Sequence, residues 1–594
     1  MFTTRPEVAG TFGAAASTHW IASSVAMAVL ERGGNAFDAG AAAGFTLQIV
    51  EPHLNGPLGD CPIIIHDAKT NTQHVICGQG PAPAGLTIEK VKGELGLDMI
   101  PGTGLLAAMV PGAFDAWMVM LRDHGTWKPR QILEFAIEYA ARGAHYVPRV
   151  IATIESVRPL FEQEWRTSAE LWLRDGGPKP GQLWTNPTLA NVYARVVAEA
   201  EAAGPDRVAQ IDAARRAWYQ GFVAEAIDRF CRETSWLDSS GSRHGGVLTA
   251  QDMANWSAGK EAPLAYDYKG YTVLKCGPWS QGPAFLQTLA ILDGIDLAGM
   301  DPEGADFVHH VIEAQKLAFA DREAYYGDPD FAEVPMQTLL SADYNAERRK
   351  LIGEKASMEL RPGTIPGYVA KVDHNAADRA ELLSKAAGTG EPTVARMGVS
   401  SGDTCHVDVI DRWGNMVSAT PSGGWLQSSP VIPELGCALG SRGQMFWLDA
   451  EHPNGLKPNK RPRTTLSPSM ALKDGKAWMA FGTPGGEQQD QWSPIMFLRM
   501  VNHGLNIQQA IDIPSFHTEH WPSSFWPRVA KPGKAVIEGR FKSEVAEALR
   551  ARGHKLEVGG DWSEGRLSGA RLEDDGQIFA GANPRGMQGY AVAR

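Results

Sequence analysis

The segment Ser401-Gly402-Asp403-Thr404-Cys405-His406-Val407-Asp408-Val409-Ile410-Asp411-Arg412-Trp413-Gly414-Asn415-Met416-Val417-Ser418-Ala419-Thr420 holds the residues best placed to do chemistry. Apolar residues alternate with polar ones from Thr404 to Ile410, which predicts a strand. Asp411 to Asn415 is turn chemistry, and Met416 to Thr420 predicts the second strand of a hairpin. Cleavage between Asp403 and Thr404 would make Thr404 an N-terminus. A free α-amine with a pKa of about 7.7–8.0 would then sit on the residue that bears the hydroxyl. Such an amine takes the hydroxyl proton at neutral pH, so one residue acts as nucleophile and base. Cys405 is the rival nucleophile, being intrinsically more reactive. Strand alternation turns it to the opposite face, where packing is its expected role.

Other residues complete the constellation. Gly485-Gly486 follow a strand-like run, Trp478 to Phe481, and two glycines let backbone N–H groups approach a developing oxyanion. Hydroxyls recur at Ser422 and at Thr464-Thr465. His406 and Asp408 stand at i, i+2 with no third ligand nearby, so no metal is expected there.

The elements that must position these residues read as follows. Residues 17 to 50 form a helical, alanine-rich layer with a turn at Gly33-Gly34-Asn35. Pro62 to His66 and His74 to Cys77 form a buried hairpin, and the pattern from Val110 to about 260 is helical, with Trp165, Trp172 and Trp184 as packing anchors. Tyr268 to Cys276 is a strand, Ala284 to Leu292 and Ala305 to Tyr326 are helices, and 380–403 is a small-residue linker. Beyond Thr404 the chain is strand-rich to Gly486, with helices near 494–503 and 541–552.

The nucleophile segment resembles that of the gamma-glutamyltransferase family of N-terminal-nucleophile hydrolases. Further matches cover nearly the whole chain: Leu30 to Ala39, Glu313 to Arg322, Gly327 to Phe331, Pro458 to Pro462 and Gly482 to Gly486. The resemblance implies an α/β fold, an αββα four-layer sandwich with a helical outer region. It also implies self-cleavage into a large subunit, 1–403, and a small subunit, 404–594, intertwined in one domain, with a dimer of these heterodimers left open. By the same resemblance Thr404 is the nucleophile and Ser422 the hydroxyl that hydrogen-bonds it. Gly485 and Gly486 hold the oxyanion, and Thr464 and Thr465 replace paired serines that touch the substrate.

Departures from the family pattern bear on the substrate. Gln79 stands where glutamyl-binding members carry an arginine for the α-carboxylate. In Arg442-Gly443-Gln444-Met445-Phe446-Trp447, Gln444 is retained, but Phe446 replaces the acid that holds the α-amine, and Gly424 replaces an asparagine. Each lost charge-assisted contact is worth about 1.5–3 kcal/mol. The lid is also shortened, to Asp449–Asn454. These features resemble the oxamate amidohydrolase-like branch, close to certain cephalosporin acylases. Arg442 and Arg463 are alternative grips for a substrate carboxylate, or else ion pairs. The expectation is a cofactor-free amidohydrolase for small or aryl acyl amides, with Phe446, Trp447 and Trp425 supplying apolar surface. The alternatives are a gamma-glutamyltransferase or glutathione hydrolase and a processed, inactive binding protein.

Composition sets the bounds. The 594 residues are 43% hydrophobic and carry a formal charge of −12, which excludes nucleic-acid or anionic-membrane binding as expected partners. Six scattered cysteines with no C-x-x-C pair exclude a disulfide framework and a structural zinc site. The N-terminal residues show no leader-like pattern and no transmembrane run is present, so a cytoplasmic location is expected.

Overall fold

The computed structural model describes residues 2–373, 375–385 and 404–594. Fourteen strands make two antiparallel seven-stranded sheets: β1 (Val8–Gly10), β2 (Gly13–Ser17), β3 (Ile63–Asp67), β4 (Thr72–Cys77), β5 (Gly259–Glu261), β6 (Leu264–Tyr268), β7 (Tyr271–Lys275), β8 (Val407–Asp411), β9 (Met416–Ala419), β10 (Ser469–Lys473), β11 (Lys476–Gly482), β12 (Ser568–Leu572), β13 (Ile578–Ala582) and β14 (Tyr590–Ala593). One sheet runs β14-β2-β8-β9-β3-β4-β5, the other β1-β13-β12-β11-β10-β7-β6. Each sheet draws strands from both sides of Thr404.

Period-two patterning explains the layering. Val407, Val409 and Val417 point to one face of their sheet and pack on α1 (Trp20–Glu31) and α2 (Ala36–Val50). Ile410 and Met416, from the alternate positions, face the other sheet and meet Met470, Ala480, Ala570 and Ala580. The outer face of the second sheet is covered by α3 (Pro283–Leu292), α4 (Ala305–Tyr325) and α5 (Gln489–His503). The result is helix, sheet, sheet, helix, as expected. α2 is buried along its whole length, and Asn35 with Asp38 closes its N-terminus as a capping box. Trp165, Trp172 and Trp184 are buried in a satellite cluster of the outer helical region.

Two expectations shift. The strand predicted from Thr404 begins at Val407, because the Cys405 N–H donates to the Pro421 carbonyl outside the ladder. The first residues of the expected linker, to 385, belong to a 3₁₀ helix, Ala376–Lys385. The rest of that linker, with Asp403, lies outside the described residues. Among the described residues no helix is long and apolar enough to cross a membrane.

Candidate active site

Thr404 is fully buried and its hydroxyl donates to Ser422 Oγ at 3.3 Å. Ser422 is held from behind by Asp60: the Asp60 N–H donates to the Ser422 carbonyl at 2.7 Å and the Ser422 N–H to the Asp60 carbonyl at 2.9 Å. The side chain of Cys405 turns away to a buried carboxylate, with Sγ 3.0 Å from Glu51 Oε2. Glu51 also accepts from Thr18 at 2.7 Å and from Gln588. Burial raises the Glu51 carboxyl, and burial beside Glu51 pushes the Cys405 thiol well above its ordinary value. A thiol so held has little thiolate character.

Gly485 and Gly486 stand at the same end of the sandwich. His406, two residues after Thr404, bonds Thr420 and Asp408 through its two ring nitrogens, each at 2.9 Å, and its ring lies against Gly482 at the end of β11. A Cβ on Gly482 would come within 2.4 Å of that ring, so only glycine lets the two sheets close here. Gly485 takes the left-handed φ of +113°, and Gly486 opens the turn that runs into α5. The helix N-terminus directs its amide dipoles toward this turn.

Gln281 couples the glycine turn to the threonine pair. Its side-chain amide donates to the Gly486 carbonyl at 3.0 Å, its backbone N–H to the Thr464 carbonyl at 2.9 Å, and its Oε1 accepts from Arg322 at 3.2 Å. Thr465 is buried, with no partner for its hydroxyl among the described residues.

The expected binding residues occupy distinct surroundings. Gln79 donates to Gly80 O at 3.1 Å and reaches Asp60 at 3.4 Å. Gln444 is bonded to the Gly102 carbonyl and to Ser441, and accepts from the Trp526 N–H at 2.9 Å. Phe446 is buried in an apolar cluster with Ala82, Leu86, Met109 and Leu456. Trp425 packs with Met445 and Phe525 instead, in a separate small cluster. Arg463 donates to Glu323 at 2.7 Å and to the Arg322 carbonyl at 2.9 Å. Arg442 donates through Nε to Asp60 at 3.0 Å.

Asp60, Glu51, Gln281 and Asn55 were not among the site residues expected from the sequence. A signal existed for one of them, the Pro278-Trp279-Ser280-Gln281-Gly282-Pro283 run ahead of α3, which is turn-like and polar in a hydrophobic setting. Elsewhere, His309, Glu313 and His554 bring possible ligand atoms within 4.8 Å of one another. Lys316 at 2.6 Å and Arg361 at 3.5 Å already pair with that Glu313 carboxylate.

The chain matches the gamma-glutamyltranspeptidase family over residues 22–593. It is 31% identical over 593 residues to the glutathione hydrolase-like YwrD proenzyme of Bacillus subtilis (strain 168), covering 98% of this chain and 99% of that one. It is 28% identical over 597 residues to the oxamate amidohydrolase proenzyme of Klebsiella pneumoniae subsp. pneumoniae, covering 98% of each. Among solved structures, LmbA2991HD superposes with a TM-score of 0.94 at 54% identity over the whole of both chains. The cephalosporin acylase from Bacillus halodurans superposes with a TM-score of 0.83 at 27% identity, over 100% of this chain and 98% of that one. Fold and site thus define an N-terminal-nucleophile hydrolase, and the chain belongs to the gamma-glutamyltranspeptidase family.

Proposed function

We propose that the protein is a self-processing amidohydrolase that cuts itself between Asp403 and Thr404 and then hydrolyses small or aryl acyl amides through an acyl-Thr404 ester. The observation that carries this reading is the buried Thr404 hydroxyl held on Ser422, at the sandwich end where Gly482 leads into Gly485-Gly486. The proenzyme names of its relatives support the processing step.

After cleavage the Thr404 α-amine takes the hydroxyl proton as Oγ1 attacks the amide carbonyl. Ser422 keeps the nucleophile oriented. The N–H groups of Gly485 and Gly486, at the positive end of α5, stabilise the oxyanion. Collapse expels the amine, which leaves with the proton held by the α-amine, and water then attacks the ester by the same route. Thr464 and Thr465 hydroxyls contact the acyl group. Gln444 and Phe446 shape the pocket wall, and Gln79 takes the place of a charged contact for an α-amino acid. With neither charged handle present, a gamma-glutamyl donor is the poorer substrate.

Intact-mass analysis of the purified protein tests the processing step, and two fragments corresponding to 1–403 and 404–594 are expected. Thr404→Ala should give one full-length species without turnover. A full-length wild-type species with full activity would overturn the mechanism. The second reading, favoured by the name of the Bacillus subtilis relative, is glutathione hydrolysis. Steady-state kinetics on glutathione beside oxamate and a glutaryl anilide decide between them, and glutathione as the best substrate would select the second.

A further inference from the structure

We propose that Arg442 anchors a carboxylate carried by the acyl part of the substrate, so that the enzyme is built for half-amides of short dicarboxylic acids. This proposal rests on the amidohydrolase reading. Its basis is a buried guanidinium whose donors are only partly used.

Arg442 is 3% exposed. Nε donates to Asp60 Oδ2 at 3.0 Å, and Nη1 has only the Met445 sulfur at 4.0 Å. Nη2 has no hydrogen-bond partner among the described residues. A buried cation with idle N–H groups is costly, and native proteins retain few of them without cause. Other polar atoms are idle on the same wall. Gln79, whose amide reaches Asp60, leaves Oε1 without a partner, and Asn55, whose backbone bridges to Gly423, leaves both side-chain atoms without one. A carboxylate beside Arg442 Nη2 would satisfy that donor.

The wall belongs to the catalytic centre. Asp60, which holds Arg442, also exchanges two backbone bonds with Ser422, the acceptor of the Thr404 hydroxyl. Gly423 follows Ser422, and a Cβ on it would lie 3.2 Å from Asp60 Oδ2 and 3.6 Å from Arg442 Nη2. The glycine, at a φ of +75°, thus keeps a side chain away from Asp60, Gly59 and the idle nitrogen, one residue from Ser422. Trp425 lies under the guanidinium at 5.6 Å and packs with Met445 and Phe525, a setting of low polarity in which a charge pair is strengthened. Arg463, equally buried, lacks an idle terminal nitrogen, since Glu323 and the Arg322 carbonyl engage both. The guanidinium absent from position 79 is thus supplied at the other oxygen of the same Asp60 carboxylate that Gln79 reaches, by a 3₁₀ turn, Arg442–Met445, downstream of β9.

The test compares oxamate, succinamate and glutaramate with the matching uncharged diamides, on wild type, Arg442→Gln and Arg442→Lys, each checked for processing by intact mass. Wild type should prefer at least one half-amide over its diamide. Arg442→Gln should lower that preference in kcat/KM by about 30-fold, the equivalent of about 2 kcal/mol at 1.4 kcal/mol per tenfold. Most of the change should fall in KM, and Arg442→Lys should recover part of it. An unchanged ratio, or a wild-type preference for the diamides, overturns the proposal. Calorimetric binding of oxalate, succinate and glutarate to wild type and Arg442→Lys reads the anchor without turnover. If no amide is hydrolysed yet a dicarboxylate binds and the lysine variant weakens it, the anchor stands and the amidohydrolase reading falls. If no dicarboxylate binds wild type, the anchor falls.

Discussion

Two buried arginine–carboxylate pairs lie near the site, and they are built to opposite plans. Glu323 meets Arg463 at 2.7 Å and Arg322 at 3.2 Å, with Arg528 close enough to act on it electrostatically. Burial alone would raise its carboxyl, but Arg463, Arg322, His452 and Arg528 outweigh burial and hold it at about 2. Asp60 has one cation, Arg442, and there burial wins and its carboxyl is raised. A carboxylate with surplus cations and arginines without idle terminal nitrogens is a lock between α4 and the segment that leads to Thr464. A carboxylate with a single arginine, itself only partly bonded, is on the proposal above a holder that keeps a guanidinium ready. Burial is the same in both, and the number of partners per charge is what differs.

The largest expected effect breaks the lock. Glu323→Gln leaves Arg463 buried without its ion-pair partner and Arg322 with only Glu487, at 3.7 Å, and should cost about 3–5 kcal/mol, read as a lower denaturation midpoint. A loss below about 1 kcal/mol would place Glu323 outside any locking role. Asp60→Asn should cost less than half as much, because losing the ion pair is partly offset by relief of a desolvated charge. If Asp60→Asn proved the more damaging to stability, the comparison would be inverted.

Acid sharpens the contrast by sign. The folded Glu323 value near 2 lies below its ordinary 4.5, so its contribution is complete above pH 4.5 and is lost as pH falls toward 2. The Asp60 value lies above its ordinary 3.8, so its charge opposes folding near neutrality and that penalty fades on acidification. Glu323→Gln should therefore flatten the stability profile between pH 4.5 and 2. Asp60→Asn should steepen the fall as pH drops toward 3.8. Parallel profiles for the two variants would contradict the assignment.

The smallest effect concerns the pocket on the other side of Thr404. Cys405→Ala removes one of three hydrogen bonds found on Glu51. It should change stability by about 1 kcal/mol and leave turnover within about threefold, measured on the best amide substrate. A dead Cys405→Ala enzyme beside an active Thr404→Ala enzyme would reverse the choice of nucleophile.

Much of this was legible in the chain itself. Alternation in Val407–Ile410 and Met416–Ala419 set a central hairpin with one face toward helices and one toward a second sheet, because side chains on a strand must alternate. Helical spacing and alanine-rich composition over 17–50 marked a helical layer with a turn at Gly33-Gly34-Asn35. The order of short motifs, from Leu30–Ala39 to Gly482–Gly486, carried the family. Local pattern suffices for such features, since each depends on residues a few positions apart.

What the chain could not disclose depends on groups far apart in sequence. Nothing near Thr404 announces that it starts outside the strand, because the Pro421 carbonyl claims the next amide only after the hairpin closes. Nothing near Cys405 foretells Glu51 at 354 positions' distance. Arg442 and Arg463 were equal candidates as residue types. Their difference is whether a second acceptor arrives: Glu323 reaches Arg463 across 140 positions, while Asp60, 382 positions from Arg442, engages its Nε and leaves Nη2 without a bond. Hydrogen bonding saturates within about 3 Å, and only the folded chain decides which groups come that close.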